Sequence, residues 1–221
     1  MAKRQVVRLG KAILWGAIAI STCLPASAAL LASTFGPGDT FLSASYPIGS
    51  PVFQEDIAAD FTPSTTATLD TIRVAVSFQS GLNNFTVYIA PDIAGEPGSP
   101  LESFTGLGFP ATPSILALNS ISHPLLTEGS RYWIVMTTPD PANSQGAWYA
   151  NDQGFNGVLA RNVFGNFVWT LDPFSPTPAF DVSGTAVIPE PSTFALALAG
   201  LAATAIRQHW PPSGRGPVLR S

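Results

Sequence analysis

Large apolar residues recur at every second position in several short runs of the chain. Ile72, Val74, Val76 and Phe78 alternate with Arg73, Ala75 and Ser77, and Phe85, Val87 and Ile89 repeat the pattern. Tyr132, Ile134 and Met136 are set against Trp133 and Val135, and Phe180 and Val182 open a last run. A period of two over this length predicts strands with one face buried. Further strands are expected at 57–61, 101–105, 115–118, 147–150 and 167–170. Turn chemistry separates them: Ser80-Gly81, the stretch 91–100 with Gly95 and Gly98, and Glu128-Gly129. Outside the two ends no segment carries a 3.6-residue apolar face. The pattern predicts about nine or ten strands in an all-β, antiparallel, jelly-roll-like β-sandwich. Trp133 alternates with Tyr132 and Ile134, so the two faces of that strand can both point inward only if it is central in the sandwich.

The two ends break this pattern. Lys3, Arg4, Arg8 and Lys11 precede an apolar run over 12–24, and Ala26-Ser27-Ala28 follows. Basic, apolar and small-residue regions in that order predict a signal peptide over 1–28, cut by signal peptidase between Ala28 and Ala29. The apolar run is too short to cross about 30 Å of hydrocarbon as a stable helix. Cys23 follows Ile20-Ser21-Thr22, a loose lipobox in which Thr22 stands where a smaller residue is usual. At the other end Pro189-Glu190-Pro191-Ser192-Thr193 precedes an apolar stretch over 194–206 and then Arg207. That stretch would be about 20 Å long as a helix, a tether shorter than a comfortable span. Arg207 is the membrane stop, held on the cytoplasmic side. The two prolines keep the backbone of Glu190 extended.

This C-terminal order resembles a PEP-CTERM sorting tail. The resemblance implies recognition of Pro189, Glu190 and Pro191 by exosortase, a multi-pass membrane protease-transpeptidase. Residues 208–221 depart from the usual pattern, adding a Pro/Gly-rich extension, expected to be cytoplasmic, with only Arg215 and Arg220 as bases. The middle also carries ordered motifs: Phe35-Gly36-Pro37-Gly38-Asp39, Leu69-Asp70-Thr71-Ile72, Gly95-Glu96-Pro97-Gly98 with Leu101-Glu102-Ser103-Phe104, and Leu126-Thr127-Glu128-Gly129-Ser130-Arg131-Tyr132-Trp133. Together they resemble the choice-of-anchor exported β domains, type R in particular, a resemblance that implies an anchored β domain and no activity. The expected organisation is a signal peptide (1–28), a β-sandwich domain (29–186), a sorting and anchor segment (187–207) and a tail (208–221). The expected course is export, an inner-membrane tethered precursor, then the cell surface or extracellular matrix.

Charge and chemistry narrow the function. Between the two ends stand three arginines, Arg73, Arg131 and Arg161, against thirteen carboxylates, a net charge of −10. Such a domain repels phosphate backbones, which excludes nucleic acid as a partner. Cys23 is the only cysteine, so the domain has no disulfide and relies on its core, which about 160 residues can supply. His123, followed by Pro124 at an expected strand start, lacks a nucleophile-elbow motif to serve. Glu55 and Asp56 are adjacent on an expected strand and so point to opposite faces, the wrong arrangement for a glycosidase pair.

No zinc cluster or phosphate loop is present in the sequence, and no cofactor is expected. Two polar or aromatic groups remain. Asp140, Asn143, Asn151, Asp152 and Asn156 are oxygen donors of the kind calcium takes, without the regular spacing of a calcium loop, and Asp140 and Asp152 are the weak metal candidates. Trp133, Trp148, Tyr149 and Trp169 would serve as a sugar-stacking platform if exposed and as core if buried. The expected function is a non-enzymatic surface or matrix protein, and the resemblance to the sorting-tail family implies association with the extracellular polysaccharide that accompanies such systems. The alternative is a carbohydrate-binding module, and an esterase or glycosidase ranks third.

Overall fold

A computed structural model describes residues 28–163 and 168–187. The signal segment before Ala28, the sorting motif Pro189, Glu190 and Pro191, and the membrane stop Arg207 lie outside the described residues. Within them the chain is all β, two antiparallel sheets packed face to face, with no helix.

There are fourteen strands among the described residues, more than the alternation predicts. The first sheet runs β1 (Ala28–Ser33), β14 (Phe180–Ala186), β4 (Ala67–Gly81), β11 (Ser144–Tyr149) and β2 (Ser45–Gly49), with β8 (Ser114–Asn119) and β9 (Leu125–Leu126) also paired to β4. The second runs β13 (Thr170–Pro176), β12 (Asn156–Asn162), β3 (Asp56–Phe61), β10 (Tyr132–Thr137), β5 (Phe85–Ile93) and β6 (Glu96–Pro97), with β7 (Glu102–Leu107) on β5. The strand expected at 167–170 instead begins at Thr170, and Phe167 lies outside the described residues. His123 sits in the loop between β8 and β9, not at a strand start.

The alternating residues meet between the sheets. Ile72, Val74 and Val76 of β4 face Phe85, Val87 and Ile89 of β5 and Tyr132, Ile134 and Met136 of β10 across one core, with Trp148, Phe180 and Val182. β4 keeps both Leu69 and Ile72 in that core despite their odd spacing. Its register slips by one against β14, where Thr71 opposes Ser183 and Leu69 opposes Gly184, so Asp70 is the extra residue of a bulge. β10 lies between β3 and β5, as the apolar character of both its faces requires.

Each outer face is covered as well. On the second sheet Trp133 and Val135 pack with Ala58 and Ala160. On the first, the segment after β1 folds over Ala75, Ala147 and Tyr149 through Phe35 and Phe41. Arg73, on the outer side of β4, fastens this segment. Its guanidinium donates to Asp181 and to Asp39 Oδ2 at 2.8 Å, and stands 5.6 Å above the Phe35 ring. These hydrogen bonds hold the exposed Asp39 carboxyl below its usual range.

The two ends of the described chain lie side by side. Ala28 pairs with Thr185, and Val187 donates its N–H to Thr66 just before β4. The β2–β3, β4–β5 and β10–β11 connections gather at the opposite end, where Leu82 donates to Asn143 O and Ser50 to Ser144 O.

Candidate functional site

A cleft of about 340 Å3 opens on the flank of the sandwich, where the sheets part beside the edge strand β1. Ala32, Ser33 and Thr34 form one wall, Asp60, Phe61 and Thr62 another, and Phe155, Asn156 and Gly157 the third. Phe61 and Phe180, their ring centroids 6.1 Å apart, reach it from the core. Thr34 is committed to the fold: its hydroxyl donates to Pro178 O and accepts from Phe180 N–H. Asp60 Oδ1 accepts the N–H of Val158 at 3.0 Å, and Oδ2 stands 3.5 Å from Arg131 Nε. Burial raises the Asp60 carboxyl above its ordinary value, against the opposing pull of that N–H and of Arg131.

The loop bearing Phe155 is held by one buried amide. Asn151 accepts the N–H groups of Gln153 and Phe155 on Oδ1 and donates through Nδ2 to Phe155 O and Thr177 O. Asn151 is therefore a loop pin, and its amide oxygen is already occupied. Asp140 and Asp152 do not converge either. They lie beyond opposite ends of β11, and a six-residue strand is about 20 Å long. Asp140 receives the Asn143 amide at 3.0 Å, while Thr40 and Gln153 hold the Asp152 carboxyl below its usual range.

The aromatic platform does not form. Trp133 is buried on the outer face of the second sheet with Trp169 packed beside it. Trp148 is buried between the sheets, its indole N–H donating to Ala179 O. Tyr149 is buried on the outer face of the first sheet and shares a hydrogen bond with Ser77. Adjacent strand residues point to opposite faces, so Trp148 and Tyr149 cannot share a surface. Core packing claims these rings, with Trp133 tied to Asp92 Oδ1 through its indole N–H at 2.9 Å.

His123 does meet a serine and one carboxylate, in the wrong arrangement for a triad. Its ring Nδ1 donates to Leu69 O at 2.8 Å and lies 3.7 Å from Asp70, while its backbone N–H donates to Ser120 Oγ. The Ser120 hydroxyl donates a hydrogen bond directly to Glu102, which also accepts the N–H groups of Ile121 and Ser122. Burial alone would raise the Glu102 carboxyl, but these donors together hold it below its ordinary value. A depressed carboxyl stabilises the loop above its unfolded value of 4.5, and that contribution is lost as the pH falls through the lower folded value. Glu102→Ala is expected to lower the hydrogen-exchange protection of Ile121 and Ser122 about tenfold at neutral pH. The wild type should approach the variant on acidification, and equal protection in both proteins at pH 7 would dismiss the pin.

Glu55 and Asp56 also separate. Glu55 pairs with Arg161 at 3.0 Å, and Asp56 accepts from Asn162 at 3.4 Å.

The cleft was not predicted. Its side chains come from five separate segments and are common residue types, and the one local signal is the Asn151–Phe155 spacing of a polar loop carrying an exposed ring. No protein-family model matches the chain, and no curated protein matches it.

Proposed function

We propose that this is an exported, non-enzymatic protein of the cell surface or extracellular matrix, freed from its signal peptide by signal peptidase and sorted by an exosortase-type transpeptidase. Extracellular polysaccharide is its partner. The observation that carries this reading is that the two ends of the described sandwich are neighbours, Ala28 pairing with Thr185, two residues before Val187. A leader before Ala28 and a tether after Val187 then leave the domain at one place. The rest of its surface, the flank cleft included, is left free to meet a matrix. A cut between Ala28 and Ala29 would keep Ala29–Ser33 of β1 with their partners on β14.

The finer fold is jelly-roll-like, with a signal helix before the sandwich and an apolar helix after it. The connections β2–β3, β3–β4, β4–β5, β7–β8 and β9–β10 all pass from one sheet to the other, which supports that topology. The bonding around His123 speaks against acyl transfer, because Ser120 is already engaged by Glu102 and not by the ring.

The test is Glu190→Gln in a host that carries the sorting enzyme, with mass spectrometry of both protein ends. Glu190 is the one charge of its motif, and a receptor can read it with a single basic side chain. The wild type should begin at Ala29 and lose its tail, while the variant should begin at Ala29 and persist as a membrane-bound precursor. Identical tails on both proteins would reject sorting through Glu190. The segment 194–206 would then be a plain anchor stopped by Arg207.

A further inference from the structure

We propose that the flank cleft between β1, the end of β3 and the start of β12 binds neutral pyranose units, with the Phe155 ring as the stacking surface. The proposal deepens the matrix reading and rests on it for the choice of polymer.

The cleft combines what a sugar needs. A pyranose presents an apolar C–H face and a rim of hydroxyls that donate and accept equally. Phe155 lines the cleft and is 50% exposed, so its ring is open to a ligand. The Asn151 amide fixes its backbone from both sides, so little is lost in ordering the ring when a ligand covers it. Ser33, Thr62 and Asn156 line the cleft, and their side chains make no hydrogen bond to any described residue. Two hydroxyls and an amide offer donors and acceptors in balance, as vicinal hydroxyls require. Asp60 adds a carboxylate to the wall, with Oδ1 accepting Val158 N–H and Oδ2 3.5 Å from Arg131 Nε.

Space and charge select the class further. The volume of about 340 Å3 stands at the small end of the range for ligand sites, ~300–1,000 Å3, which suits one ring of a chain with its neighbours outside. A Cβ at Gly157 would come within 2.7 Å of Thr177 Oγ1 and 3.2 Å of Asp60 Oδ1, so a larger residue there would crowd this wall. Three bases against thirteen acids repel uronate and sulfated polymers, and Asp60 in the wall repels them at close range. A single carboxylate is too little for a bare cation, and neutral sugars remain.

The experiment uses the full chain, purified in a detergent without a sugar headgroup, and titrates it calorimetrically with neutral oligosaccharides (glucose, galactose and mannose oligomers) and with uronate oligomers. Binding of at least one neutral series is expected, weakened about tenfold or more by Phe155→Ala and severalfold by Asn156→Ala, with unfolding temperatures unchanged. Both side chains are exposed, so neither substitution removes core. Binding of uronates alone, binding insensitive to Phe155→Ala, or no binding across the panel would overturn the proposal. None of these outcomes bears on the processing of the chain ends, which the Glu190→Gln assay reads separately.

Discussion

Replacing Val76 with aspartate is expected to abolish folding. Val76 is wholly buried between the sheets, beside Trp148 on β11 and Ser114 on β8. Removing the valine forfeits about 1.5–3 kcal/mol of apolar burial. The larger cost is the carboxylate, which finds no cation in the core and costs several kcal/mol more whether it is buried charged or forced to take up a proton. A domain's whole stability is about 5–15 kcal/mol, so the sum is of the same size. The variant should collect as insoluble protein and, if refolded, show no cooperative thermal transition by circular dichroism. Leu82→Asp, at an exposed loop position, is the matched control and should unfold within a few degrees of the wild type. A normal transition for Val76→Asp would mean that the register of β4 is wrong.

Arg73→Met should be the most damaging substitution outside the core. Asp181 has a side chain only 6% exposed, and Arg73 is its cation. Removing one member of a buried pair costs about 3–5 kcal/mol because the other is left charged without compensation, and the one-third exposure of Arg73 puts the effect near the lower end, about 3 kcal/mol. For a domain of this size that is a fall of about 6–12 °C in Tm. The partner carboxylates differ. Asp39 is half exposed and solvent screens its pair with Arg73, so Asp39→Asn should leave the unfolding temperature nearly unchanged. The double variant Arg73→Met/Asp181→Asn should recover most of the loss, since the stranded charge is gone. If it is no more stable than Arg73→Met alone, the damage comes from lost packing over Phe35 and not from the stranded carboxylate.

Strands were legible where large side chains alternate, as in β4, β5, β10 and β14, because a buried face imposes period two on bulky residues. β1 and β12 were not legible. Ala28–Ser33 is mostly alanine and serine around Leu30 and Leu31, and Asn156–Asn162 mixes polar and small residues. Their places are set by neighbours across the sheet. β2 and β13 contain Pro47 and Pro173, which edge positions tolerate and which argue against a strand when read locally. The bulge at Asp70 hides behind the apparent break between Leu69 and Ile72.

The motif residues that carry the family resemblance turn out to be fasteners. Asp39 binds Arg73, Asp70 receives the Thr185 hydroxyl, Gly95 turns the chain at positive φ, Glu102 holds the 120–122 loop, and Tyr132 accepts the N–H of Thr127. Such residues mark a fold and are silent about a ligand. The aromatic residues that sequence offered as a site are large and apolar, and the same property that suits them to sugars draws them into the core. The cleft that remains was built by juxtaposition, which no local pattern records.

The position of β14 has a mechanical consequence. The strand lies between β1 and β4, antiparallel to both, and leads directly to Val187. Its hydrogen bonds run across the strand axis. A load hung from Val187 and resisted at the far loops therefore pulls β14 lengthwise, and the rungs on both sides must shear together. A force that drew the chain apart at Ala28 and Val187 would instead peel β1 from β14 one rung at a time, because those two ends are neighbours. Under the proposed processing, cleavage between Ala28 and Ala29 would remove the handle for that weak direction, and a tether at the C-terminal side would pull the domain along its strong one.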